Sequence, residues 1–225
     1  NKHQHIILLD KMVKGMFIVF EGLDGSGSST QVSLLQKALR NAGYTAHLTK
    51  EPTNNLIGGL IRGQLTKDWK TGPECLQLLF AADRAHHLER EILPGVEKGC
   101  VVISDRYFFS TMAFGGIDID MDWLKKLNEK FKVPDLSFFI KVPARECVKR
   151  ISDSRFEFEL FEEENKLERV WKNYEILAKD FDNVHVIDGT QSVEEVHEEI
   201  LAITLDKLRV KGQLNMNLNA FAKKE

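Results

Sequence analysis

At 225 residues and 43% hydrophobic, the chain can bury one good core, so a single α/β domain is the natural expectation. A formal net charge of -3 gives no basic footprint, which disfavours a nucleic acid polymer as partner and leaves any phosphate recognition to local geometry. Cys75, Cys100 and Cys147 are widely spaced and form no C-x-x-C pair, so a disulfide framework or zinc site is disfavoured and a reducing, cytoplasmic home is expected.

Residues 1–15 carry no pattern that joins the rest and read as an N-terminal extension. Their apolar run, residues 6–9, is too short for a signal-peptide core, and nothing in the chain approaches the length of a membrane span. The domain then opens on Phe17-Ile18-Val19-Phe20-Glu21-Gly22-Leu23-Asp24-Gly25-Ser26-Gly27-Ser28-Ser29-Thr30-Gln31. A short β-branched and aromatic run breaks into glycines, then small hydroxyl residues, then the amphipathic residues 32–39. That order reads as buried strand, tight loop, helix. The glycines let successive N–H groups point at one spot, and the helix N-terminus adds a positive dipole there. Such a concavity binds phosphate. Gly22, Gly27 and Ser29 fit the P-loop spacing G-x-x-x-x-G-K-[ST], except that Ser28 stands at the lysine. An ordinary strand-to-helix turn is the bland alternative, and the flanking strand and helix weigh against it.

Asn41-Ala42-Gly43 supplies a helix stop, and residues 44–49 alternate like a strand that Glu51-Pro52-Thr53 ends. Leu56–Leu65 is a short helix weakened by Gly58 and Gly59. A longer helix starts at Pro73, with Leu76, Leu79, Phe80 and Leu88 at helical spacing, and Pro94 is expected to close it. Residues 100–103 form a continuous apolar strand that runs into Ser104-Asp105-Arg106-Tyr107. Helices are expected over 123–131, 143–152, 167–178 and 193–208, with strands over 136–142 and 184–187. Residues 152–164 are acidic, aromatic and poorly periodic, hence a loop. Residues 211–225 are unpatterned, hence a frayed tail. The domain is thus drawn over 16–210, with a lid at about 150–164.

Strands alternating with helices imply a parallel sheet covered on both faces, whose ligands bind at the carboxyl ends of the strands. The glycine loop, Glu51-Pro52 and Asp105-Arg106 all lie at that edge. Asp105 takes the place of a Walker B acid. With the hydroxyl of Ser29 it could position Mg²⁺. Arg106 offers a planar fork to phosphate, or a salt bridge to Asp105 or Glu51. Arg150 and Arg155 flank the loose loop. A lid carrying arginine would bring charge and exclude water, whereas a solvated face would pair them with Glu157, Glu159 and Glu162. Phe80 and Arg84 share a helix face, where Phe80 either stacks on a base that Arg84 reads or simply fills the core.

Taken together, the chain resembles the thymidylate kinases, nucleoside monophosphate kinases of the P-loop superfamily, from about residue 17 to residue 208. The resemblance rests on Phe20-Glu21-Gly22-Leu23-Asp24-Gly25, Lys50-Glu51-Pro52-Thr53, Leu79-Phe80-Ala81-Ala82-Asp83-Arg84 and Asp105-Arg106-Tyr107 through Ser110, with Pro134-Asp135-Leu136 and Arg155-Phe156-Glu157 in support. It implies a three-layer P-loop NTPase fold with a five-stranded parallel sheet and a lid. It implies phosphoryl transfer from ATP to dTMP, Mg²⁺ as cofactor, and a homodimer. ATP would then lie on Gly22, Leu23, Asp24, Gly25, Ser26, Gly27, Ser28, Ser29 and Thr30, with Arg150 beside it. Asp24, Arg106 and Arg155 would be catalytic, and Ser29 and Asp105 would hold the metal. For dTMP the resemblance implies Asp24, Lys50, Glu51, Pro52 and Leu65 around the phosphate and pocket mouth. Phe80, Arg84, Ser110 and Thr111 would meet the base, Phe114 the sugar, and Phe156 would come from the lid. The missing P-loop lysine motivates two alternatives: a nucleotide-binding protein with weak or lost kinase activity, and a kinase of broader pyrimidine deoxynucleotide specificity.

Overall fold

A computed structural model describes residues 15–151 and 157–222, with side chains over 15–151 and 163–212. The chain order is β1 (Met16–Gly22), α1 (Ser28–Asn41), β2 (Ala46–Lys50), α2 (Leu56–Leu65) and α3 (Pro73–His87). A π-helical turn over Leu88–Ile92 leads into α4 (Leu93–Glu97) and β3 (Val101–Asp105). There follow α5 (Phe108–Gly115), α6 (Met121–Asn128), β4 (Leu136–Lys141), α7 (Ala144–Ile151), α8 (Glu157–Asp180), β5 (Val184–Asp188) and α9 (Val193–Ala222).

The five strands form one parallel sheet in the order β2-β3-β1-β4-β5. A central parallel strand is covered on both faces, so every residue of β1 is buried, Glu21 included. Helix α1 packs on α9, and α5 packs on α8. Aromatic rings lock the second pairing, with Phe109 5.0 Å from Phe139 and Phe139 5.1 Å from Tyr174 between ring centroids. The connection after β1 leaves toward β2, and that after β3 leaves toward β4. Their carboxyl ends therefore flank the crevice where the winding reverses, which is where such sheets bind ligands. Phe20 stands opposite Asp105 in the register, and Lys50 stands opposite the same residue on the other side.

Three expectations are corrected. Residues 157–164 are helical, so α8 begins well before residue 167. Helix α9 continues through residues 211–222, where a frayed tail was expected. Pro94 does not end the long helix, because the π turn restarts the chain as α4 with proline in its first turn, where the missing N–H costs little. The stripe Leu76, Leu79 and Phe80 is only half-buried. The face of α3 turned inward is Gln77, Ala81, Asp83, Arg84 and His87.

Candidate active site

The loop after β1 is shaped by glycine. Gly25 and Gly27 have φ of 81° and 92°, left-handed backbone that side chains rarely adopt. A Cβ on Gly25 would also stand 2.7 Å from the carbonyl oxygen of Cys147, and one on Gly22 2.6 Å from Ser26 Oγ. Gly27 caps α1 with no side-chain acceptor, so the first N–H groups of the helix, at Ser28 and Ser29, have no intrahelical partner. They face a hollow of about 320 Å³ lined by Leu23, Asp24, Gly25, Gly27, Ser28, Ser29 and Thr30, with Asp105 and Arg106 across from them. Gly22 and Ser26 shape this loop from behind.

Both hydroxyls after Gly27 donate to Asp105. Ser28 Oγ lies 3.3 Å from Oδ1 and Ser29 Oγ 2.5 Å from Oδ2. A hydroxyl beside a carboxylate suits a hard, oxygen-seeking cation. Among the described residues no group of three or more His, Cys, Asp or Glu gathers to hold a metal. A cation here would complete its shell with water and phosphate oxygens, as Mg²⁺ commonly does.

Arg106 forms an ion pair with neither Asp105 nor Glu51. Its Nη2 donates to Asp24 Oδ1 at 2.7 Å and its Nη1 to Ser110 Oγ at 2.9 Å. Its backbone is left-handed, with φ of 73°, held by Arg106 N donating to Phe20 O at 2.8 Å and Ser104 Oγ donating to Arg106 O at 2.7 Å. Non-glycine residues held this way cluster where function demands it. Beneath the guanidinium lies Glu21, which accepts from Ser110 Oγ, Tyr174 Oη and Tyr107 N. Burial pushes its carboxyl up to about 7, against the lowering by Ser110, Arg106 and Tyr174.

A second hollow of about 320 Å³ opens on the far side of Arg106 and Asp24. Pro52, Leu65, Phe80 and Phe114 give it apolar walls. Glu51, Arg84, Ser110 and Thr111 give it polar ones. Phe80 thus faces a pocket and is not plain core. Arg84 is wholly buried behind the pocket, its guanidinium 5.2 Å from the Tyr107 ring centre and 5.5 Å from that of Phe131.

The hollow over the glycine loop and the second one, called the ring pocket below for the Phe80 and Phe114 rings in its wall, therefore share one wall, the Asp24–Arg106 pair. A family model described as thymidylate kinase matches residues 20–200. The chain belongs to the thymidylate kinase family. It is 41% identical over 198 residues to a protein of Thermococcus kodakarensis named "Probable thymidylate kinase", covering 84% of this chain and 96% of that one. To the "Thymidylate kinase" of Thermosipho melanesiensis it is 38% identical over 193 residues, 84% of this chain and 96% of that protein. To the "Thymidylate kinase" of an Exiguobacterium species it is 33% identical over 210 residues, 89% and 99% respectively.

In this family member, two further predicted site residues can be placed. Lys50 does not line the ring pocket. It faces an outer cleft of about 590 Å³, together with Ser29, Thr49, His87 and Asp105. Arg150, at the end of α7, donates from Nη1 to the carbonyl oxygen of Gly25 at 3.2 Å and lies 3.9 Å from Glu146. Arg155 and Phe156 lie outside the described residues. Sequence reasoning assigned no role to Glu21, whose signal was an acid inside an otherwise apolar strand. It also missed Gln77, Asp118 and Lys166, which line the ring pocket. The Oε1 of Gln77 is buried without a partner.

Proposed function

We propose that this chain catalyses transfer of the γ-phosphoryl group of ATP to dTMP, releasing ADP and dTDP. The observation that carries this reading is the Asp24–Arg106 contact, which is shared by the phosphate hollow and the ring pocket. An oxygen of the dTMP phosphate attacks the γ-phosphorus, and the bond to the β,γ-bridging oxygen breaks. No protein nucleophile is needed, so catalysis is positioning and charge neutralisation. Backbone N–H groups of the glycine loop hold the donor phosphates. Arg106 touches the oxygens on both sides of the transfer, and Asp24 orients it. Phe80 stacks on the thymine, Arg84 supplies donors to a ring carbonyl, and Phe114 packs where a 2′-hydroxyl would clash. Arg150 stays with the donor side, and Arg155 in the 150–164 lid adds charge at closure.

Ser29 and Asp105 are the residues that would hold Mg²⁺, and a bound Mg²⁺ supplies charge neutralisation between the donor's outer phosphates. Leu56 and Leu60, four residues apart on α2 at 83% and 46% exposure, and Leu78 of α3 at 52%, support a homodimer that covers them. Light scattering on the purified chain tests it, and a monomer at all concentrations would refute it. Free thiols at Cys75, Cys100 and Cys147 support a cytoplasmic home. Residues 1–15 and 211–225 are read as flanks of the kinase domain.

The deciding test is ADP release coupled to an indicator, with ATP, Mg²⁺ and a panel of nucleoside monophosphates. Turnover should be strong with dTMP, present with dUMP and poor with dCMP. ATP binding with no turnover on any acceptor would instead favour a nucleotide-binding protein, and equal turnover of dCMP and dTMP would remove the role given to Arg84.

A further inference from the structure

Arg84 has five N–H donors, and in a buried site its neighbours decide which of them remain available. Nη2 donates to Glu51 Oε2 and to Thr111 Oγ1, each at 2.7 Å, and Nη1 donates to Asn128 Oδ1 at 2.7 Å. Nε–H has no partner. A guanidinium beside a carboxylate favours the two-point fork, which would engage a second donor of Arg84. Glu51 makes only one contact, because its other oxygen, Oε1, faces Nδ1 of His87 at 3.1 Å.

The roles on the imidazole follow from chemistry. A carboxylate can only accept, so Nδ1 carries the proton. Nε2 lies 2.7 Å from the Thr49 hydroxyl, with Glu91 Oε2 3.6 Å away. The side chain of His87 is fully buried, and it borders the outer cleft rather than the ring pocket. It therefore acts on an acceptor only through Glu51 and Arg84.

We propose that His87 is a positioning residue for acceptor recognition. By holding Glu51 Oε1 it keeps the Glu51–Arg84 contact single, and so fixes the position in which Arg84 lines the pocket that takes the acceptor's ring. The inference rests on the reading of the ring pocket as the dTMP site.

The experiment measures KM and kcat for dTMP and for dCMP, and the Kd for ATP, in wild type, His87→Leu and His87→Asn. A lost hydrogen bond to a charged group is worth about tenfold in binding. His87→Leu should therefore lower the preference for dTMP over dCMP about tenfold, in KM more than in kcat, and leave ATP affinity unchanged. His87→Asn carries an amide near the place of Nδ1 and should recover most of the preference. An unchanged dTMP-to-dCMP ratio in folded His87→Leu overturns the proposal, as does a loss equal for both acceptors and for ATP. Should His87→Leu fail to fold, Thr49→Val loosens the same imidazole from the half-buried strand β2. A ratio shifted in the same direction supports the proposal, and an unmoved one overturns it. A wild type that neither binds nor phosphorylates dTMP would sink the function reading and this inference together. A wild type that does both, with variants that keep its ratio, sinks only the inference.

Discussion

Glu21 shows what a single residue contributes beneath the site. In the unfolded chain it titrates near its ordinary 4.5, and in the fold near 7. The folded state thus holds the proton more tightly, so the stability that Glu21 contributes is full below the unfolded value and is lost as pH rises through the folded one. We predict that stability falls by about 3 kcal/mol on this account between pH 4.5 and 7. Urea melts across that window should show the fall in wild type and not in Glu21→Gln, and equal slopes in the two would refute it. Ser28 makes the second case. Its hydroxyl reaches Asp105 at 3.3 Å, so a longer cationic side chain at this position finds a carboxylate to pair with. Ser28→Lys is predicted to fold, to bind ATP as tightly or more tightly, and to change kcat only modestly. Turnover at saturating ATP and dTMP checks this; an inactive wild type rescued by the lysine would mean that no other cation compensates. Phe80, Arg84, Ser110, Thr111 and Phe114, which the family resemblance set together, do line one pocket. The pairing of Arg106 with Asp24, and the place of Lys50 on the outer cleft, were not legible. Both depend on which way a side chain leaves the end of a strand, and spacing alone does not encode that.

At the scale of the element, helix α2 supplies Leu65 to the wall of the ring pocket. Asn55 caps it by accepting from Ile57 N and Gly58 N. Gly58 lies so close to residue 53 that an added Cβ would stand 1.9 Å from the carbonyl oxygen of Thr53, whereas one on Gly59 meets nothing nearer than 3.8 Å. The segment pressed by Gly58 is the one whose Thr53 is held by Asp83, through N at 2.8 Å and Oγ1 at 2.6 Å, next to Glu51 and Pro52. We predict that Gly58→Ala destabilises the fold by several kcal/mol or shifts residues 51–53, with a raised KM for dTMP. Gly59→Ala should be neutral or stabilising by about 0.5–1 kcal/mol. Thermal melts of the pair check it, and equal effects would refute the packing argument. Strands β1, β3 and β4 were readable because a buried parallel strand is a short, nearly continuous apolar run. Helix α5 was not, since Phe108, Phe109, Met112 and Ala113 are buried along with Thr111. A helix apolar nearly all round shows no stripe. The first turns of α8 lacked a periodic apolar face, and the last turns of α9 extend a helix already formed, which is cheaper than nucleating one. On α3 the inward face is polar, because Asp83, Arg84 and His87 meet partners on the 49–53 segment. Apolar periodicity alone therefore could not separate core from pocket wall at Phe80.

At the scale of the whole molecule, the winding reversal between β1 and β3 sets two loops side by side. Arg106, the first residue past β3, ends up between them. Its guanidinium contacts Asp24 of the glycine loop and Ser110 of the ring pocket, so one side chain spans the two hollows. The contact matters most when charge is in transit, so removing it should cost the transition state more than either ground state. We predict that Arg106→Ala lowers kcat by on the order of 10²-fold or more, with smaller changes in KM for ATP and dTMP. Stability gives an independent reading, because φ at this position is 73°. Alanine keeps the left-handed strain and glycine relieves it, so Arg106→Gly should be more stable than Arg106→Ala by about 1 kcal/mol. Their kcat values should be equally low. Melting and steady-state kinetics on the two variants separate the backbone role from the side-chain role. If kcat recovered with stability in Arg106→Gly, the arginine would be serving the fold. If only one KM rose in both, it would belong to a single substrate and not to the transfer between them.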